Sequence, residues 1–324
     1  MMTGRTAILV LGMHRSGTSA LTRVLGHLGC AMPNDGIEAH PDNPKGYWEP
    51  QALVRESDRV FRTAHTSWFD PRPLDLAATP EAARADYRSA FARAIRKSFG
   101  EAPLIAVKDP RLCRLVPLFV EAAADLGYET RVVLMNRAPG EIARSLHARD
   151  RSTAHYAHAL WLRHMLDAER DSRDLPRATV SYDDLLADWR ATIRPLLRLL
   201  PAVDPEGVAP AIDAHVDRRL RHHGDHAPAT LDPRLAPIVA DAERAFAALA
   251  FEDDGHTRGA IDDVAARFGA GNLLDDIIHD ELRHRRVREL ALAAEVKDCH
   301  AREPATEELP VTMPPLGRWK RWWT

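Results

Sequence analysis

The sequence predicts an α/β protein: a central parallel sheet flanked by helices, followed by a helical C-terminal part. Three observations carry this reading. Short apolar runs at 7–11, 104–107, 131–135 and 178–181 alternate with longer segments of helical apolar spacing, the pattern of parallel strands joined by crossover helices. The first run leads through a glycine-containing loop straight into a helix pattern. After about residue 205 only helical patterns occur.

The elements follow in order. Residues 7–11 (AILVL) form a continuous apolar run, as expected of a strand buried on both faces. A helix is predicted over 18–28. Residues 33–46 hold three prolines and two glycines and read as a long loop, a length that in compact domains is often functional. Helices are predicted at 50–64 and 80–98, a strand at 104–107 and a helix at 113–126. A strand at 131–135 and helices at 139–149 and 152–171 come next, then a strand at 178–181 and a helix at 183–200. Further helical patterns lie near 232–250, 257–268 and 275–297. The expected organisation is a main domain over 1–255 and a helical extension over 256–300. A proline-rich linker with a Trp/basic tail, ending LGRWKRWWT, occupies 301–324. The tail's tryptophans could pack on the domain or touch a membrane interface peripherally.

Composition excludes several classes. With 45% hydrophobic and 28% charged residues the chain is an ordinary globular one. A net charge of −3 argues against a long nucleic-acid partner and for a local anion site. The three cysteines, Cys30, Cys113 and Cys299, are far apart and odd in number and form neither a disulfide framework nor a CxxC knuckle. No apolar run approaches the ~18 residues of a membrane span, so a cytoplasmic protein is expected. Ala- and Arg-rich usage suggests a GC-rich bacterial genome. His279, Glu281 and His284 give HxExxH rather than the HExxH zinc face, and no metal is expected.

The most informative segment is Gly12-Met-His14-Arg15-Ser16-Gly17-Thr18-Ser19. Glycines allow a tight turn in which successive N–H groups face one anion. The helix N-terminus adds partial positive charge there. The spacing is that of a Walker A loop, but Thr18 stands where an NTPase has lysine. Arg15 can supply the missing cation. A second segment, residues 131–145, reads strand, Arg137, Pro139 at a helix start, then Ser145. Tyr182 sits where the fourth predicted strand, 178–181, runs into a helix. Lys108 ends the strand at 104–107 in the phrase Val-Lys-Asp-Pro-Arg, and strand ends in such sheets face the ligand crevice.

Residues 15–19 (RSGTS) resemble the 5′-phosphosulfate loop of the sulfotransferases that use 3′-phosphoadenosine 5′-phosphosulfate (PAPS). Arg137 and Ser145, eight apart, resemble that family's 3′-phosphate site, and Tyr182 its residue beside the adenine. The basic stretch with Arg218, Arg219 and Arg221 resembles the segment that closes over the 3′-phosphate. The Lys-Asp-Pro phrase is similar to that of bacterial members and of the tyrosylprotein branch; Pro110 stands where cytosolic members have a catalytic histidine. The resemblance implies a P-loop-like three-layer fold and metal-free, in-line sulfuryl transfer from PAPS to a hydroxyl. It implies donor contacts from Gly12, His14, Arg15, Ser16, Gly17, Thr18, Ser19, Arg137, Ser145, Tyr182 and Arg221. Lys108 and Arg15 would be the cations at the transferring group. The implied base is a glutamate after the first helix. Glu49, closing the phrase Asn-Pro-Lys-Gly-Tyr-Trp-Glu, and Glu38 both qualify, with His40 and Asp109 as further choices; Glu49 could instead cap a helix. The acceptor would be a glycan, a glycolipid or a small hydroxylated metabolite. A P-loop kinase or NTPase, and a non-catalytic nucleotide-binding protein, are the alternatives.

Overall fold

The computed structural model describes residues 4–37, 46–201, 203–216 and 231–302. Glu38, His40, Arg218, Arg219, Arg221, the proline-rich segment and the Trp/basic tail lie outside the described residues.

Among the described residues four strands form one parallel sheet. They are β1 (Arg5–Leu11), β2 (Leu104–Lys108), β3 (Tyr128–Asn136) and β4 (Arg177–Ser181), in the order β2-β1-β3-β4. β1 is central: Leu9 is paired with Val107 on one side and with Val132 on the other. Residues 7–11 are fully buried, which explains their unbroken apolar run. Side chains alternate across the strand. Ala7, Leu9 and Leu11 enter one core, and Ile8 and Val10 enter another on the opposite face.

The second face is covered by α1 (Thr18–His27), α7 (Tyr182–Ala187), α8 (Trp189–Ile193) and α9 (Ala209–His215). The first and larger core is built with α2 (Gln51–Thr63), α3 (Glu81–Phe99), α4 (Val116–Ala124), α5 (Pro139–Asp150) and α6 (Ala154–Asp171). The predicted three-layer α/β arrangement is therefore present. α10 (Leu235–Leu249) and α11 (Gly255–Phe268) join the larger core through Phe246 and Phe268, with Trp161 of α6 edge-on to Phe246 at 5.9 Å. The compact unit runs to Glu281, in the long helix α12 (Leu273–Arg302). Beyond it, Leu282, Val287, Leu290 and Leu292 of α12 are exposed. Among the described residues no helix is long and apolar enough to cross a membrane.

Two predicted helices differ. The segment 113–126 begins as a 3-10 turn, Pro110–Arg114, capped by the Asp109 carboxylate, which accepts from the Arg111 amide; only then does α4 start. The segment 183–200 is broken. Asp188, with φ −152°, ends α7 and caps α8 by accepting from the Ala191 amide. Pro195 then prevents a continuous helix, and a 3-10 turn at Leu196–Arg198 replaces it.

Candidate active site

The loop 12–19 leaves the C-terminal end of β1 and enters α1. Its path needs left-handed backbone at Arg15 (φ +71°) and Gly17 (φ +91°). Only glycine fits at two positions. A Cβ on Gly17 would lie 2.1 Å from Tyr182 Cδ2, and one on Gly12 would lie 2.7 Å from Ser16 Oγ and 2.9 Å from the Met135 carbonyl oxygen. The Gly12 amide donates to Cys113 Sγ at 3.1 Å, fixing the start of the loop to the 3-10 turn. Gly17, the N-cap of α1, brings no capping side chain, and no acid occupies the first turn. An anion would therefore complete this helix end. Ser16 Oγ is buried without a hydrogen-bond partner, a polar atom that a bound anion would satisfy.

Beside this loop stand the residues at the end of β3 and on α5. Arg15 Nε donates to Ser145 Oγ at 2.8 Å. Arg137 Nη1 donates to the Arg15 carbonyl at 2.7 Å, and its guanidinium stacks 4.5 Å over the Tyr182 ring. Arg15, Gly17, Arg137, Ser145 and Tyr182 thus form one cluster, although they come from four segments of the chain. Burial pushes the Tyr182 hydroxyl up, with the Arg137 charge opposing. Sequence reasoning missed Glu141. Its Oε2 accepts from Arg137 Nε at 3.0 Å and Nη2 at 2.8 Å. Four residues along a helix start, it was legible in principle as an i,i+4 partner.

The second half of the site is at the end of β2. Lys108 Nζ donates to Glu49 Oε1 at 2.7 Å, with side-chain exposures of 2% and 6%. Arg111 Nη1 lies 3.6 Å from Glu49 Oε2 and 3.0 Å from Asp109 Oδ1, and its Nε donates to Asp58 at 2.7 Å. Burial pushes the Asp109 carboxyl up; Arg111 pulls it down, and Glu49 adds to the rise. Glu49 does not cap α2. That role belongs to Asp35, whose carboxylate accepts from the Ala52 amide at 2.8 Å.

The segment just before Glu49 is strained. Gly46 (φ +88°) and Trp48 (φ +58°) are both left-handed, and for a tryptophan this costs on the order of 1–2 kcal/mol. The Trp48 ring lies 5.0 Å from the Arg23 guanidinium. Ser19 Oγ donates to the Tyr47 carbonyl at 3.3 Å.

His14 packs 4.4 Å from the Trp68 ring, with His164 at 6.4 Å. Burial holds the His14 imidazole well below its usual range, with Arg149 and Arg111 adding repulsion. Burial likewise pushes His164 down to about 3. Trp68 rides on an irregular loop whose carbonyls are taken by buried side chains. Arg114 donates to the carbonyls of Ser67 (3.1 Å), Asp70 (2.8 Å) and Arg72 (2.7 Å). Arg163 donates to Pro71 at 2.9 Å, and Tyr156 donates to Phe69. Neither Trp68 nor these clamps carries a local sequence signal. Among the described residues no group of three His, Cys, Asp or Glu side chains could hold a metal ion.

No curated protein matches the chain. Among solved structures, the sulfotransferase STF1 from Mycobacterium tuberculosis aligns over 69% of this chain and 75% of its own, at 18% identity and a TM-score of 0.40. The sulfotransferase domain of the Synechococcus PCC 7002 olefin synthase covers 83% of this chain and 96% of itself, at 18% identity and 0.38. The sulfotransferase domain from the curacin biosynthetic pathway covers 81% and 98%, at 14% identity and 0.39. The family model described as "Sulfotransferase family" matches residues 7–202, more than half of the sequence and the whole span from β1 past α8, and the chain belongs to that family.

Proposed function

We propose that this sulfotransferase takes its sulfuryl group from PAPS and transfers it, without a metal, to a hydroxyl of a glycan, glycolipid or small metabolite. The observation that carries the donor assignment is the convergence of Arg137, Ser145 and Tyr182 on Arg15 of the anion loop. A nucleotide with a second phosphate at the ribose suits two arginines beside a stackable ring; ATP has no such phosphate. Three of the five N–H groups of Arg137 are committed to Glu141 and the Arg15 carbonyl, and two remain for a phosphate. Thr18 in place of the Walker lysine argues against a kinase.

In the proposed reaction Glu49 accepts the proton of the acceptor hydroxyl as that oxygen bonds to sulfur. The bond from sulfur to the bisphosphate oxygen breaks, and that oxygen keeps the electron pair. Lys108, with two N–H donors beyond the one given to Glu49, and Arg15 offset charge on the transferring and leaving oxygens. Glu49 suits the base role better than Asp109, which is fully buried and whose Oδ1 is held by the 3-10 turn and Arg111.

Calorimetric titration with adenosine 3′,5′-bisphosphate and, in parallel, ATP without Mg²⁺ tests the donor. Wild type should bind the bisphosphate selectively, and Arg137→Ala should lose it by at least ~10²-fold, the loss of a bidentate charged contact. Binding of ATP alone, or of neither, overturns the reading.

A further inference from the structure

The segment that carries Glu49 is fastened on two sides. From one side the Ile37 amide donates to the Glu49 carbonyl at 2.9 Å, and the Gln51 amide to the Asp35 carbonyl at 3.2 Å. From the other side it rests on the first two turns of α1, the helix that the anion loop opens. Ser19 holds the Tyr47 carbonyl, and Arg23, four residues and one turn further on, lies over the Trp48 ring. Trp48 adopts a left-handed backbone that a tryptophan avoids. Such a conformation persists only where its surroundings over-determine it. The indole is half-buried, and its Nε1 is enclosed without a partner, so packing rather than hydrogen bonding retains it.

We infer that Trp48 is the positioning residue for Glu49. Clamped against α1 by Arg23, its ring keeps residue 48 left-handed. That turn directs the next side chain, Glu49, onto Lys108. The base is thereby referenced to the same helix whose N-terminus faces the anion, so donor site and base share one rigid support. The contacts of Trp48 fix the Lys108–Glu49 geometry; the catalytic consequence rests on the proposed role of Glu49.

The test uses the full chain. Crystal structures of Trp48→Ala and Arg23→Ala report the Lys108–Glu49 distance, and Trp48→Phe serves as the conservative variant. In Trp48→Ala and Arg23→Ala the pair should open beyond hydrogen-bond reach, and Trp48→Phe should restore it. Bisphosphate affinity should stay within threefold of wild type in all three. Release of bisphosphate from PAPS with p-nitrophenol as probe acceptor should fall at least tenfold in both alanine variants and recover in Trp48→Phe. An intact pair at 2.7 Å in both alanine variants overturns the inference, as does a loss that Trp48→Phe shares. Should Trp48→Ala not fold, Arg23→Ala, a change at a half-buried position, decides it. A wild type that binds no bisphosphate would sink the donor assignment instead, and the distance measurement would still judge Trp48.

Discussion

Lys108 Nζ sits 2.7 Å from Glu49 Oε1, joining residues 59 positions apart in a place closed to solvent. The lysine is the last residue of β2, and the glutamate immediately precedes the N-cap of α2. Neither charge would be stable there alone, since each partner compensates the desolvation of the other. The pair therefore marks where charge is held ready rather than where stability is gained.

Lys108→Met should accordingly cost up to about 3 kcal/mol by leaving buried Glu49 with only the longer contact to Arg111. The double variant with Glu49→Gln should lose less than the sum of the singles. Urea denaturation of the four proteins measures this. Turnover of Lys108→Met should fall about 10²–10³-fold, with bisphosphate affinity kept within a few-fold. Near-normal turnover removes Lys108 from the mechanism.

Gly17→Ala should be far worse than Gly29→Ala. Both glycines are left-handed, at φ +91° and +95°, but only at Gly17 does a Cβ meet a neighbour, Tyr182. Gly29→Ala should cost about 1–2 kcal/mol of strain and leave nucleotide affinity unchanged. Gly17→Ala should add about 1–3 kcal/mol of overpacking and weaken the bisphosphate at least tenfold. Equal losses at the two sites would show that strain alone acts at Gly17.

Burial that pushes His164 down to about 3 makes stability depend on pH. The unfolded chain takes up a proton near 6.5, while the folded one does so only near 3. Stability from this group is thus complete above 6.5 and declines as pH falls toward 3. Between pH 7 and 5.5 wild type should lose about 1 kcal/mol more than His164→Leu. Chemical denaturation at the two pH values gives the difference, and parallel slopes would mean that His164 protonates in the fold.

Arg114→Met removes donors from three loop carbonyls at once. It also removes an ion pair to Asp167, 3.4 Å from Arg114 Nε, but Asp167 keeps Arg163 and Arg170, so most of the cost comes from the carbonyls, about 1–3 kcal/mol for each that water cannot reach. The near-ultraviolet circular dichroism of Trp68 against His14 should weaken in parallel. A loss under ~1 kcal/mol with an unchanged spectrum would show that the loop holds itself.

The strand–loop–helix of 7–28 was legible in the sequence because its causes are local. An apolar run, two glycines and a helix start specify their own backbone. The parallel sheet followed from the alternation of runs, whereas placing Arg137 and Ser145 in one site was implied only by the family resemblance. Asp188 and Pro195 carry their own break signals in the sequence, but the apolar periodicity runs on through both. What the tertiary structure alone decided is which distant segments meet. The pairing of Glu49 with Lys108, the Arg111 bridge between Asp58, Asp109 and Glu49, the support of Trp48 on Arg23, and the arginines that fasten the loop under Trp68 all depend on chain crossings. Side-chain chemistry states what each residue can do. Which charge is neutralised, and which backbone is forced left-handed, is set by the neighbours that folding brings within a few ångströms.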